Sequence, residues 1–252
     1  MNNKVAIITG GSRGLGKNTA LKLASQNVDL IITYRSKKEE ADAVVAEAES
    51  LGVKATAVQL DVAESKTFSA FAGTVKDLLS NKWQRENFDF LVNNAGIGIN
   101  TPFAQTTEEQ FDQLVNIQFK GVFFLTQTLL PLIADGGRII NISTGLTRFS
   151  FPGYAAYASM KGAIEVLSKY LAKELGARGI TVNVVAPGAI ETDFGGGVVR
   201  DNEQLNNHIA SITALGRVGV PDDIGGVIAS LLSEDNRWIN AQRIEASGGM
   251  ML

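Results

Sequence analysis

Cysteine is absent from the 252-residue sequence and histidine occurs once, at His208. The first absence excludes disulfide staples and thiolate metal sites. The second leaves imidazole zinc sites and histidine-dependent triads without material, so no metal is expected. Charge of one sign is not in excess: 23 basic side chains stand against 26 acidic ones, a formal charge of −3, with no block of like charge. That balance lacks the electrostatic footprint of a nucleic-acid or anionic-membrane binder. Long hydrophobic runs are missing too, since the apolar stretch Gly121 to Ala134 falls short of the roughly 20 residues that a bilayer span requires. Met1-Asn2-Asn3-Lys4 passes straight into a strand-like run, which leaves no room for a signal peptide and sets the expectation of a cytoplasmic protein. Chemistry in such a chain has to run on hydroxyls, lysine and a bound cofactor.

What is present is an alternation of two periods. Short β-branched runs at Val5 to Thr9, Val28 to Thr33, Ala55 to Leu60, Phe88 to Val92, Arg138 to Ile142, Thr181 to Val185 and Arg243 to Glu245 predict seven strands. Between them, Gly14 to Ser25, Lys38 to Leu51, Lys66 to Leu79, Thr107 to Leu132, Tyr154 to Leu175 and Pro221 to Leu232 read as amphipathic helices. This βαβα order predicts an α/β fold, a doubly wound parallel sheet with helices on both faces, formed as one domain over residues 1–252. Ser80 to Asn87 is a polar stretch, and glycine-rich Thr192 to Gly197 opens an irregular segment reaching Gly219, here read as a substrate loop over about 192–219. Ligands in such sheets sit at the carboxyl ends of the strands.

The residues after the strands carry the chemistry. Thr9-Gly10-Gly11-Ser12-Arg13-Gly14-Leu15-Gly16 follows the first strand. Glycines at 10, 14 and 16 allow a tight turn, a close approach of pyrophosphate to backbone N–H groups and tight packing of helix on strand. The same glycines also serve an ordinary strand-to-helix turn. After the second strand comes Tyr34-Arg35-Ser36, where a fold selecting NAD places an acid for the ribose hydroxyls. Arg35, together with Arg13, instead favours a 2′-phosphate and hence NADP(H) over NAD(H). Tyr157 and Lys161 stand four residues apart, so one helical turn points phenol and ammonium the same way. A nearby ammonium pulls a phenol pKa down toward the range of a working acid or base. Taken alone, that pair is more often an exposed tyrosine beside a solvated lysine.

Thr9 to Gly16, Asp61-Val62, Asn93-Asn94-Ala95-Gly96, Tyr157-x-x-x-Lys161, Pro187 to Thr192 and Ser247-Gly248-Gly249 together resemble the short-chain dehydrogenase/reductase family, nearly end to end. The resemblance implies a Rossmann-type sheet and a dinucleotide held by Gly10, Ser12, Arg13, Gly14, Leu15, Gly16, Tyr34, Arg35 and Ser36. It further implies that Asp61 and Val62 flank the adenine, that Asn94, Ala95 and Gly96 pass along the cofactor, and that Ile142, Ser143, Pro187 and Gly188 border it. Ile190 and Thr192 would hold the nicotinamide carboxamide. Tyr157 would exchange a proton with substrate, and Lys161 would bind the nicotinamide ribose.

Two positions depart from the family pattern. Thr144 falls at the substrate-orienting serine, with Ser143 beside it; strand neighbours face opposite sides, and Thr144 is the hydroxyl assigned to substrate. Gln118 falls at the structural asparagine that bends a helix and holds a water beside the lysine; a capping or interface role for this amide is equally open. Phe149, Phe151, Tyr154 and Phe194 would border an apolar mouth or pack as core, whereas His208 reads as a surface or packing residue. Phe119, Phe123, Phe124 and Leu125 read as core or as a subunit contact. The expectation is an NADP(H)-dependent enzyme interconverting a small-molecule carbonyl and alcohol, as a homotetramer or homodimer. A 3-oxoacyl thioester reductase and a non-catalytic dinucleotide sensor are the alternatives.

Overall fold

A computed structural model describes residues 3–252; Met1 and Asn2 of the opening tetrapeptide lie outside them. Seven strands form one sheet in the order β3-β2-β1-β4-β5-β6-β7, and every neighbouring pair is parallel. They are β1 (Val5–Ile8), β2 (Asp29–Tyr34), β3 (Ala55–Gln59), β4 (Phe88–Asn93), β5 (Ile133–Ile142), β6 (Thr181–Pro187) and β7 (Arg243–Ala246). The order reverses between β1 and β4, which opens a crevice at their carboxyl ends.

Alternation along the strands builds two cores. Ala6 and Ile8 of β1 face a layer made with α1 (Gly14–Ala24), α2 (Lys38–Ser50) and α9 (Pro221–Leu232). Val5 and Ile7 face the opposite layer, packed by α3 (Phe68–Trp83), α5 (Gly121–Leu129) and α6 (Ala155–Leu175). All residues of β1, β2 and β4 are buried, as a sheet covered on both faces demands. Truncating one of these buried aliphatic side chains to alanine costs about 2–5 kcal/mol.

Four elements differ from the sequence expectation, and the first is β5, which starts at Ile133 where Arg138 was expected. The third helix runs on to Trp83 because its indole N–H donates to Asp29 at 2.8 Å, a buried carboxylate that also accepts from Lys54 N. The single helix expected over Thr107 to Leu132 is four pieces, α4 (Glu108–Leu114), a π-helical segment (Val115–Lys120), α5 and a 3-10 turn (Leu130–Leu132). Close approach enforces the break: a Cβ on Gly121 would lie 2.3 Å from the Val62 carbonyl oxygen, so the helix enters α5 pressed against the loop after β3. The segment expected to be irregular up to Gly219 contains α7 (Val198–Asp201) and α8 (Glu203–Ser211). Asn202 caps α8 by accepting from Leu205 N at 2.9 Å, and Ile209 is buried.

Candidate active site

The loop from Thr9 to Arg13 joins β1 to α1 and is stitched to the loop after β4. Thr9 Oγ1 accepts from the backbone N–H groups of Asn94 and Ala95, each at 3.0 Å, and Asn94 Nδ2 donates to Thr9 O at 2.8 Å. Asn94 therefore braces the turn. A Cβ on Gly16 would sit 2.2 Å from Gly10 O, so only glycine lets α1 rise so close to the strand. Gly14 has φ of 55°, and Arg13 at the helix start offers no side-chain cap. The first-turn N–H groups of α1 are thus left for an anion.

The remaining nucleotide-side residues divide by environment. Ser12 is half-buried and Leu15 packs against the core. Tyr34 is buried in the core layer, so of its triplet only Arg35 and Ser36 are exposed. Arg13 is exposed and has one ionic neighbour, Asp193 at 4.0 Å. Asp61 is half-buried and accepts from Ala63 N at 2.9 Å, beside Val62. At the end of β6, Pro187 is buried and Gly188 N donates to Ala246 O at 3.1 Å. Ile190 bridges to Gly219, and Thr192 approaches Gly14, where a Cβ would be 3.7 Å away.

Tyr157 and Lys161 lie one turn apart on α6, and both are almost wholly buried. Lys161 Nζ donates to Ile142 O at 2.8 Å and stands 5.9 Å from the centroid of the Tyr157 ring. Tyr154 meets that ring edge-on at 6.3 Å, and Phe194 lies against it at 6.0 Å. Phe194 also fits a notch at Gly98, where a Cβ would come within 2.6 Å of its ring. Residues 192–194 therefore cross from the glycine loop to the phenol. Phe149 and Phe151 pack together nearby in the core of α8, Val218 and Met250, while His208 is exposed on α8.

Thr144 follows β5 in extended conformation. Burial holds the Tyr157 phenol well above its ordinary value, outweighing the opposite pull of the Thr144 hydroxyl, whose oxygen accepts from Leu146 N at 3.3 Å. Burial likewise lowers Lys161 from 10.5 to about 7. This corrects the expectation from the i,i+4 spacing. Two groups desolvated together both favour their neutral forms, and an amine that is half-neutral near pH 7 exerts little pull on a phenol.

Ser143 points the other way. It is buried, and its Oγ donates to Glu165 Oε1 at 2.6 Å, so that hydroxyl is committed to α6. Gln118 is fully buried in the π-helical segment, and its Nε2 donates to Ile97 O. Its Oε1 has no partner and lies where a Cβ on Gly96 would be 2.9 Å away. The amide is thus directed at the loop after β4. Among the described residues no cluster of three potential metal ligands occurs, and no helix is long and apolar enough to cross a membrane.

Sequence reading did not single out Gly98, Asp193, Glu165 or Arg243. Glu165 carried a signal: with Tyr157 and Lys161 it forms an i, i+4, i+8 row on one helix face. Arg243 carried none, since it reaches Glu165 across 78 residues of chain.

Comparison with known proteins places this geometry. The family model described as Enoyl-(Acyl carrier protein) reductase matches residues 10–251. A 3-oxoacyl-[acyl-carrier-protein] reductase of Staphylococcus aureus is 36% identical over 99% of this chain and 98% of its own. A hydroxynaphthalene reductase-like protein of Metarhizium brunneum is 34% identical over 98% and 94%. The crystal structure of an angucycline C-6 ketoreductase with bound NADP superposes with a TM-score of 0.93 at 33% identity, covering 98% of this chain and 95% of that one. With a family model matching residues 10–251 and oxidoreductase relatives more than 30% identical over nearly the whole chain, the chain belongs to the short-chain dehydrogenase/reductase family.

Proposed function

We propose that the protein is an NADP(H)-dependent carbonyl reductase or alcohol dehydrogenase in which Tyr157 passes a proton to or from the substrate oxygen. The observation that carries this reading is the burial of Tyr157 and Lys161 one turn apart on α6, with half-buried Thr144 following the strand end whose Ile142 carbonyl accepts from Lys161. The residues present fit a dinucleotide. Gly10 and Gly16 let α1 start close against the end of β1 and the loop after β4, α1 starts without a side-chain cap, and Arg13 and Arg35 are exposed with no acid directly after β2. Those guanidinium forks suit a 2′-phosphate, and the ketoreductase of similar structure binds NADP. When bound, the nicotinamide supplies or accepts the hydride.

The chain's own residues do the rest. In reduction, Thr144 donates a hydrogen bond to the carbonyl oxygen and Tyr157 gives that oxygen a proton. Lys161, once its amine donates to ribose hydroxyls beside phosphate charge, is held as the ammonium, and its charge then favours the phenolate left behind. In oxidation the same phenolate accepts the alcohol proton. Asp61, Val62, Asn94 to Gly96, Ile142, Pro187, Gly188, Ile190 and Thr192 line the path between adenine and nicotinamide ends. Residues 1–252 work as one dinucleotide-binding unit, with 192–219 as its substrate loop.

Tyr154, Phe194 and the ring of Tyr157 itself make the substrate side aromatic, which favours a flat, apolar ketone. The resemblance to a 3-oxoacyl-carrier reductase supports the second reading, a thioester substrate. Turnover of 2-tetralone and of acetoacetyl-coenzyme A with NADPH separates the two. Exposed Phe123, Phe124 and Tyr170 on α5 and α6 support a homotetramer or homodimer, which a sedimentation mass would report. The decisive test of the chemistry is Tyr157→Phe. It should abolish turnover, by about 100-fold or more, while NADPH binding stays within about twofold; normal turnover would refute the assignment of the acid.

A further inference from the structure

We propose that Glu165 and Arg243 are positioning residues that aim the Thr144 hydroxyl at the Tyr157 phenol; this rests on the reading of Thr144 given above. Glu165 Oε1 accepts three hydrogen bonds, from Ser143 Oγ at 2.6 Å, Thr147 Oγ1 at 2.7 Å and Arg243 Nε at 2.8 Å. Arg243 Nη2 donates in turn to the backbone carbonyl of Thr144 and to Thr147 Oγ1, each at 3.1 Å. Every one of these contacts from Glu165 and Arg243 Nη2, apart from the pair's own, falls on residues 143, 144 or 147, the turn that carries the substrate-facing hydroxyl.

Backbone geometry turns that anchoring into aim. Thr144 is extended, with φ of −158° and ψ of 156°, and in extended chain successive side chains face opposite sides. Holding Ser143 inward on Glu165 therefore directs Thr144 outward, while the grip of Arg243 on its carbonyl stops the turn from rotating. Glu165 shares a helix face with Tyr157 and Lys161, so the strut ties acceptor turn and proton donor to the same rigid element. The far side is braced as well: Arg243 Nη1 donates to Glu245 at 2.9 Å, Glu245 takes a two-pronged contact from Arg148, and Arg148 donates to the Met250 and Met251 carbonyls. A charge-assisted chain of alternating sign thus runs from the C-terminal residues to the back of the site. A strut serving only to join β7 to α6 would have no need of the Thr144 carbonyl.

The test is a double-substitution cycle in the full-length protein with NADPH and whichever of 2-tetralone and acetoacetyl-coenzyme A is turned over faster. Glu165→Ala is expected to lower kcat about tenfold, the scale of a misaligned reacting group, with the KM for NADPH changed less than about twofold. Glu165→Gln keeps an acceptor for Ser143 and Thr147 and is expected to recover most of the loss. In a Thr144→Val background, Glu165→Ala should slow kcat further by less than about twofold, because the group being aimed is already gone. A full additional tenfold loss there, or a normal kcat in Glu165→Ala, would overturn the inference alone. Normal kcat in Thr144→Val would overturn the role of Thr144 itself. Should Glu165→Ala fail to fold, Arg243→Lys, which keeps the ion pair but loses the fork to Thr144 O, takes its place in the same cycle with the same criteria.

Discussion

Lys161 is held at a disadvantage. Burial has brought its pKa from 10.5 to about 7, so from about pH 10 down to 7 the unfolded chain binds a proton there that the native chain does not. Stability from this residue therefore rises with pH across that window and is flat below it. Between pH 7 and 9 the rise should approach roughly 2 kcal/mol. Lys161→Met should remove that slope and raise the cofactor-free melting temperature at pH 7, even though the Ile142 carbonyl loses its donor, while turnover disappears. Chemical denaturation at the two pH values checks this, and an unchanged slope in the variant would show that the amine is not the source. The same residue marks where sequence reasoning stops. The i,i+4 spacing correctly put phenol and amine on one helix face, and strand alternation correctly separated Ser143 from Thr144, because both are local rules of geometry. The sign of the pKa shift was not legible, since burial is set by strands and helices remote in sequence.

At the scale of elements, the strands and most helices were legible because each buries one face, or both, in a single period. The helix expected from Thr107 to Leu132 was not, because a 3.6-residue pattern carries no mark of a π-helical turn at Val115–Lys120. Helices α7 and α8 escaped because three successive glycines with positive φ, Gly195 to Gly197, precede them and read as open loop. The π-helical segment and Gly121 hold Val62 in place, which leads to a prediction. Gly121→Ala inserts a methyl 2.3 Å from the Val62 carbonyl oxygen and should destabilise by about 1–3 kcal/mol through overpacking. It should also weaken NADPH binding by displacing the loop after β3. A urea midpoint and a binding titration measure the two effects, and an unshifted midpoint would mean that α5 yields freely.

For the whole molecule, selectivity between cofactors is an electrostatic property of a nearly neutral surface. A formal charge of −3 gives no general attraction for a phosphorylated ligand, so preference has to come from local guanidinium groups. Arg13 and Arg35 follow different strands, β1 and β2, whose parallel pairing puts both at the same end of the sheet. NADPH should accordingly raise the melting temperature more than an equal concentration of NADH, and Arg13→Ala/Arg35→Ala should bring the two shifts together, reflecting a loss of about tenfold or more in NADPH affinity. Equal shifts in the unaltered protein would remove both arginines from the cofactor's path.

The wide turn ahead of α5 has one more effect, on heading. Each residue advances an α-helix by about 100°, so one residue accommodated in a wider turn swings everything downstream by about that angle. Val122 and Leu125 point inward and Phe123 and Phe124 outward on a bearing that this local dislocation sets. Losing the dislocation would steer one of those two phenylalanines toward the sheet and turn a core residue out to water, coupling the loop beside Gly96 to whatever surface the far end of that helix presents.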